Sequence, residues 1–475
     1  MRLRAGALAA VLLFSLSVRA EMPENVSKGS KVLLKLASAP LDWKIPVEGV
    51  NYRKVTSASG LKFYLKPDDT VPMVTVHCRV GAGAVFETDR TPHTAKVTAR
   101  MVRECGSAGM TTETMEATLD FYAGQFEMEC GPDWVTIDGS IPSRHLESLI
   151  KILAGVLSSP GFSEERLKFV LKRMQAEDAA ASDDPFYVCR KKFYNLLYPK
   201  HPYGYIFALD GIEKVTLEDV KKFYTDWYCP ANIAIAVTGD FKEKDFLALW
   251  DQYYQGAPPN RELIIPRPPR PSPVPGVYLV QRNVNQSSIY FGVLLPEEVR
   301  PEIPLLNLVN HVTGGGDFAS RFTQQVRDRE GLAYRVDSLL NTDFLGNFAY
   351  VARCRTKTES TERAIDAMLW ILDIFRQGKF TDGEFQAGKS ALRTSVARKF
   401  TSVMELLKVF MTLDLLGRPY AFIDEYPAKV MAITPEQLKE MAVKCFDVSR
   451  MVYVVVGDVK EMDKLKKLGP VTRLE

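Results

Sequence analysis

Apolar positions in residues 61–65 and 73–80 have the density of β-strands, and Pro67-Asp68-Asp69 lies between them. Two strands around a turn are expected there. Residues 94–102 read as a helix. Further on, Leu146, Leu149, Ile150, Leu153 and Leu157 recur at i, i+3, i+4 spacing, the period of an amphipathic helix. Ser163 is placed to cap another helix running to about residue 181. A helix over 216–228 leads into the β-rich run 233–237, which stops at Gly239-Asp240. The alternation then begins again. Strands are expected at 277–280 and 288–293. Ile365, Met368, Leu369, Leu372 and Phe375 form one helix face, and Thr381 with Glu384 has capping-box spacing. Residues 451–456 are expected to be the last strand. Each half mixes a sheet with several helices, so the fold class is α+β.

The second half copies the first. Residues 216–245 (TLEDVKKFYTDWYCPANIAIAVTGDFKEKD) align without a gap on 434–463 (TPEQLKEMAVKCFDVSRMVYVVVGDVKEMD), and 9 of the 30 pairs are identical. Upstream, Phe162-Ser163 and Phe380-Thr381 keep the offset that relates Thr216 to Thr434. One offset held over such a distance implies a duplicated domain and two similar halves able to face each other. Between them, residues 266–275 (PRPPRPSPVP) hold six prolines in ten, which favours a stiff extended connector. The expected division is an N-terminal domain over 48–258, a linker over 259–276 and a C-terminal domain over 277–475.

The N-terminus follows another pattern. Met1-Arg2-Leu3-Arg4 is basic, residues 5–18 are mostly apolar, and Val18-Arg19-Ala20 offers a small-residue cleavage site. This predicts a signal peptide over 1–20, a leader over 21–47 and an exported chain, periplasmic or extracellular. The apolar run is too short to span a membrane, and no other segment is a spanning candidate. With 61 basic and 58 acidic residues the charge is nearly balanced, which gives no footing for a nucleic-acid partner. The seven cysteines form no CxxC pair. Buried free thiols are expected, with one or two disulfides as the alternative.

Three strings carry a resemblance: His201-Pro202-Tyr203-Gly204, the stretch from Trp227-Tyr228 to Gly239-Asp240, and residues 314–334 (GGGDFASRFTQQVRDREGLAY). With the order of elements, they make the chain resemble the insulinase and pitrilysin-like zinc peptidases. The likeness is to the smaller, mitochondrial-processing-peptidase type, over about residues 45–465. It implies two homologous domains, each an antiparallel-rich sheet with helices packed on it, arranged as a clamshell. Enzymes of that family carry HxxEH on a helix, two His holding zinc and the Glu activating a water, with a later Glu as third ligand. This sequence has no HxxEH; its His residues are His77, His93, His145, His201 and His311. Matching residues 100–102 to the end of the motif puts Lys96, Ala99 and Arg100 where His, Glu and His belong. Glu177 then stands at the family's place for the third ligand, with Asp183-Asp184-Pro185 following it as in the family pattern. A catalytic zinc needs three protein ligands and an open position, and a guanidinium repels the ion. No zinc, no other cofactor and no hydrolysis by the chain alone are expected. Either Lys96 or Arg100 is expected to pair with Glu177 in this degenerate site, unless these charges only solvate a helix face.

Other parts of the family's machinery have counterparts. Arg327 and Tyr334 match an Arg–Tyr pair that holds the substrate backbone near the scissile bond; the plainer reading is that one ends a helix and the other packs on a strand. Gly314, Gly315 and Gly316 follow an apolar helix-like run and are expected either to stop it with positive φ or to form a mobile loop over substrate. His311 before them reads as a packed residue. The resemblance thus implies a non-catalytic subunit. A zinc-bearing peptidase chain of the same family would be its partner, and an extended peptide would be the substrate, added to a sheet edge. The alternatives are a peptide-binding scaffold without a catalytic partner and, less favoured by the histidine census, an active peptidase with a displaced metal site.

Overall fold

The computed structural model describes residues 47–87, 91–260, 266–342, 347–398 and 402–474. The expected signal peptide (1–20) and all but the last residue of the expected leader (21–47) lie outside the described residues. In the first half the order is β1 (Arg53–Thr56), β2 (Lys62–Pro67), β3 (Met73–Val80), α1 (Thr94–Glu104), α2 (Thr112–Phe121), β4 (Gln125–Cys130), β5 (Val135–Pro142), α3 (Leu146–Ser158), α4 (Glu164–Ala181), α5 (Pro185–Leu197), α6 (Leu217–Trp227), β6 (Ile233–Gly239) and α7 (Glu243–Tyr253). The second half has β7 (Gly276–Gln281), β8 (Gln286–Leu294), α8 (Ile303–Asn310), β9 (Ala333–Asn341), β10 (Ala349–Lys357), α9 (Thr361–Arg376), α10 (Asp382–Arg398), α11 (Val403–Leu415), α12 (Ala421–Ala432), α13 (Pro435–Cys445), β11 (Val452–Gly457) and β12 (Val471–Leu474).

Each half builds a six-stranded sheet, ordered β1-β2-β6-β3-β5-β4 and β12-β7-β11-β8-β10-β9. β6 runs parallel to β2 and β11 parallel to β7, while the other pairings within β2–β6 and β7–β11 are antiparallel. The fold is α+β, as the sequence pattern predicts. The two strands expected around Pro67-Asp68-Asp69 are present. β2 and β3 do not pair across the Pro67-Asp68-Asp69 turn, because β6 lies between them. Its Ile-Ala-Ile-Ala-Val run is buried on both faces, which places it centrally. One other strand reading needs correction: residues 451–456 are not the last strand, since β12 follows, parallel to β7.

Caps fix the helices that the sequence marks. The Ser163 hydroxyl accepts from Arg166 N at 3.2 Å. Thr381 and Glu384 form the expected reciprocal pair at 2.8 and 3.2 Å. Capping boxes open both α6 (Thr216 with Asp219) and α13 (Thr434 with Gln437), at matching positions of the repeat.

The halves are tied by an exchange of helices. α5 follows α4 of the first half but packs on β8 and β11 of the second sheet. α11, its counterpart at the offset of the repeat, packs on β6, β2 and β3 of the first. Phe186 and Phe193 of α5 meet Tyr290 with ring centroids 4.9 and 5.6 Å apart. Phe410 of α11 stacks on Tyr52 at 4.8 Å. Each sheet is therefore covered on one face by helices of its own half and on the other by a helix from the opposite half. All seven cysteines are free, and six are buried. Among the described residues no helix is long and apolar enough to cross a membrane.

Candidate functional site

α1 presents Lys96, Ala99 and Arg100 to a cavity of about 450 Å³, and α4 presents Glu177 to the same space. All four residues of the degenerate set are thus gathered by two helices far apart in sequence. Of the two cations, Arg100 is the one that pairs: its guanidinium donates to Glu177 Oε2. Arg173, one turn before Glu177 on α4, lies 3.4 Å from the other carboxylate oxygen. Glu177 is therefore held by two guanidiniums. Lys96 turns elsewhere and donates from Nζ to Ile206 O at 3.2 Å. Burial lowers its pKa, and the charges of Arg100 and Arg190 push the same way, against Asp178 and Cys130.

Behind this pair lies a carboxylate that sequence reasoning missed. Glu104, on the last turn of α1, is buried. It meets Arg173, Arg100 at 3.5 Å and Arg166 at 4.0 Å. Neither oxygen has an aligned hydrogen bond, so charge rather than hydrogen-bond geometry holds it. The i, i+4 spacings Arg100–Glu104 and Arg173–Glu177 were the available signal. Asp178, next to Glu177, also lines the cavity. Burial pushes its pKa up, but the Tyr187 hydroxyl at 2.6 Å and Lys191 at 3.0 Å outweigh that and hold it below the usual value.

The position and chemistry of these groups do not fit a zinc site. Lys96, Ala99 and Arg100 supply no ligand, and the remaining carboxylate is bonded to Arg100 beside Arg173. Among the described residues no group of three or more His, Cys, Asp or Glu side chains could hold a metal ion.

The C-terminal residues sit on different elements. α8 continues into a π-helical turn, His311–Gly315, and a second π-helical segment, Thr323–Arg329, carries Arg327. Gly331 leaves that segment at φ 61, and β9 begins at Ala333, which sets the spacing of Arg327 and Tyr334. The two side chains meet: the Arg327 guanidinium lies 5.7 Å from the Tyr334 ring and 5.3 Å from that of Phe318. Tyr334 is 87% and Phe318 72% exposed. No described hydrogen bond or ion pair joins this cluster to Glu177 or the α1 residues.

The glycine triplet does not end the helix with positive φ; Gly314 and Gly315 lie inside the π-helical turn and Gly316 follows it. Gly316 has φ −91, and neither of the others takes a positive value. Close approach is the reason for glycine here. A Cβ on Gly314 would lie 2.5 Å from Phe322 and from Ser338 of β9, and one on Gly315 would lie 2.2 Å from Asn310 Nδ2. The turn is thus wedged between the segments that carry Arg327 and Tyr334. His311 is half-buried, its ring close to Gly316.

Known proteins share this fold. Residues 214–392 match the family described as Peptidase M16 inactive domain. In sequence the chain is similar to the insulinase-like peptidases, with residues outside that match left to weaker relatives. It is 22% identical to an uncharacterized zinc protease of Mycobacterium leprae, over 82% of this chain and 88% of that protein. It is 19% identical to the non-peptidase homolog YmxG of Helicobacter pylori, over 82% and 90%. Among solved structures, a peptidase M16 inactive domain from Pseudomonas fluorescens superposes with a TM-score of 0.75 at 22% identity, over 86% of this chain and 98% of that one.

Proposed function

We propose that this chain is a non-catalytic subunit of an exported insulinase-like peptidase, lending substrate contacts to a zinc-bearing sister chain. The observation that carries the reading is the Arg100–Glu177 ion pair. It gives the one carboxylate left from the expected ligand set a different partner. The non-peptidase label of the Helicobacter pylori relative points the same way.

Arg327, Tyr334 and Phe318 supply the substrate contact in this reading. Exposed Arg and aromatic side chains already packed on one another are the residue types that dominate binding surfaces. The Arg supplies fixed charge, and the Tyr hydroxyl a hydrogen bond to a developing oxyanion. The Gly314-Gly315-Gly316 turn braces both elements instead of touching peptide. An extended peptide would add to β4, the outer strand of the first sheet, whose Met128, Glu129 and Cys130 border the cavity. The basic, apolar and small-residue pattern of residues 1–20 supports export; the mature N-terminus of secreted material should fall just after Ala20.

The test mixes the chain with a zinc-bearing sister and follows cleavage of an unfolded peptide. Activity should need both chains and fall by roughly 10²-fold in kcat with Arg327→Ala or Tyr334→Phe, the scale of losing one oxyanion donor. Activity from the sister alone, unchanged by either substitution, would instead support a scaffold.

A further inference from the structure

The cavity beside the Arg100–Glu177 pair holds two cations that the pair does not neutralise. Among the described residues, Lys96 has one hydrogen bond, to the Ile206 carbonyl. Arg190, one turn into α5 from Phe186, lies over the Phe207 ring at 4.7 Å and the Tyr187 ring at 5.3 Å. Its Nε is buried without a hydrogen-bond partner. Among the described residues neither cation forms an ion pair. Two of the nearby acids are committed elsewhere, Glu177 to Arg100 and Arg173, and Asp178 to Tyr187 and Lys191. Glu129 of β4 lines the space as well, without a described ion pair to either cation. Like charges that share a partly desolvated space repel. Each charge lowers the cost of placing an anion between them.

Much of the remaining lining is apolar. Met128, Met174, Ile206, Phe207 and Leu209 line the same space. Its volume of about 450 Å³ suits a side-chain-sized group or a short peptide end. We infer that this cavity is a binding site for a carboxylate on an apolar stem, with the carboxylate on Lys96 and Arg190 and the stem against Met128, Met174 and Leu209. A peptide supplies that chemistry from two sources, its C-terminal carboxylate or an acidic side chain beside apolar ones. The inference stands apart from the proposed partnership, since it concerns binding by this chain alone.

Calorimetric titration of the full mature chain with three probes tests it. The first is a short peptide ending in leucine with a free C-terminus. The second is the same peptide as its C-terminal amide. The third is that amide with one internal glutamate. The free acid should bind about tenfold or more tighter than the amide, the scale of one hydrogen bond to a charged group. If the glutamate probe recovers the affinity, the acidic side chain is the source; if it does not, the C-terminus is. Lys96→Met and Arg190→Gln, each checked for an unchanged melting curve, should remove most of the difference between acid and amide. Equal binding of all three probes, no binding by any probe, or a carboxylate preference that survives both substitutions in folded protein would overturn the inference. A zinc-bearing sister is absent throughout, so failure here leaves the partnership to its own assay.

Discussion

Arg100 and Glu177, on helices distant in the chain, are joined by an ion pair on the wall of one cavity. Both side chains keep appreciable exposure, 33% and 49%. Solvent screening therefore keeps the pair weak. Glu177→Gln should cost about 1 kcal/mol or less in denaturant unfolding.

Glu104 is a contrasting case. It is 5% exposed and faces three guanidiniums. Removing its charge takes away the buried counterion that the three share, leaving only the more exposed Glu177 beside two of them. Glu104→Gln should cost about 3–5 kcal/mol by the same measurement. A cost equal to that of Glu177→Gln would show that solvent reaches this cluster.

A second buried acid sets a pH dependence. Glu87 accepts from His93 N at 3.0 Å and Ala95 N at 2.7 Å, at the start of α1. Burial raises its pKa from 4.5 to about 7, outweighing those amides, the Tyr205 hydroxyl and Lys96, which all favour the anion. The folded chain thus holds this proton more tightly than the unfolded chain. Its contribution is complete below pH 4.5 and is lost as pH rises to about 7, on the order of 3 kcal/mol. Glu87→Gln should flatten the stability curve over that window; an unchanged slope would contradict the assignment.

The exchanged helices predict cooperative unfolding. Phe193 and Phe410 are fully buried, each against the opposite half's sheet. Phe193→Ala and Phe410→Ala should each cost about 3–5 kcal/mol. Calorimetry of the wild-type chain should show one transition with matching calorimetric and van't Hoff enthalpies. Two separate transitions would mean that the halves fold independently.

Gly314→Ala tests the wedge. Its Cβ would press on Phe322 and Ser338 at 2.5 Å, so the variant should lose about 1–3 kcal/mol of stability. No loss would return the triplet to the mobile-loop reading.

Much of this was legible in the chain. The duplication shows in sequence because α6, β6, α13 and β11 kept their spacing, and capping boxes recur at Thr216 and Thr434. The neighbourhood of Glu177 and α1 followed from one register argument. Strand order was not legible, since nothing local tells β3 that β6 will separate it from β2. The helix exchange was hidden for the same reason: α5 is amphipathic whichever sheet it covers. Arg190 and Glu104 escaped notice because each gains its role from partners distant in sequence. Gly314 was misread because glycine serves positive φ and close approach equally well, and only three-dimensional contacts separate them.

The central claim is that the turn from Lys96 to Arg100 stands where a metal-binding turn would be. Zinc content of the purified chain tests it most directly, measured beside a variant carrying Lys96→His, Ala99→Glu and Arg100→His together. The wild-type chain should retain only trace zinc after dialysis, while the triple variant, using Glu177 as third ligand, should retain about one ion per chain. One tightly held zinc in the wild-type protein, or none in a folded triple variant, would contradict the account.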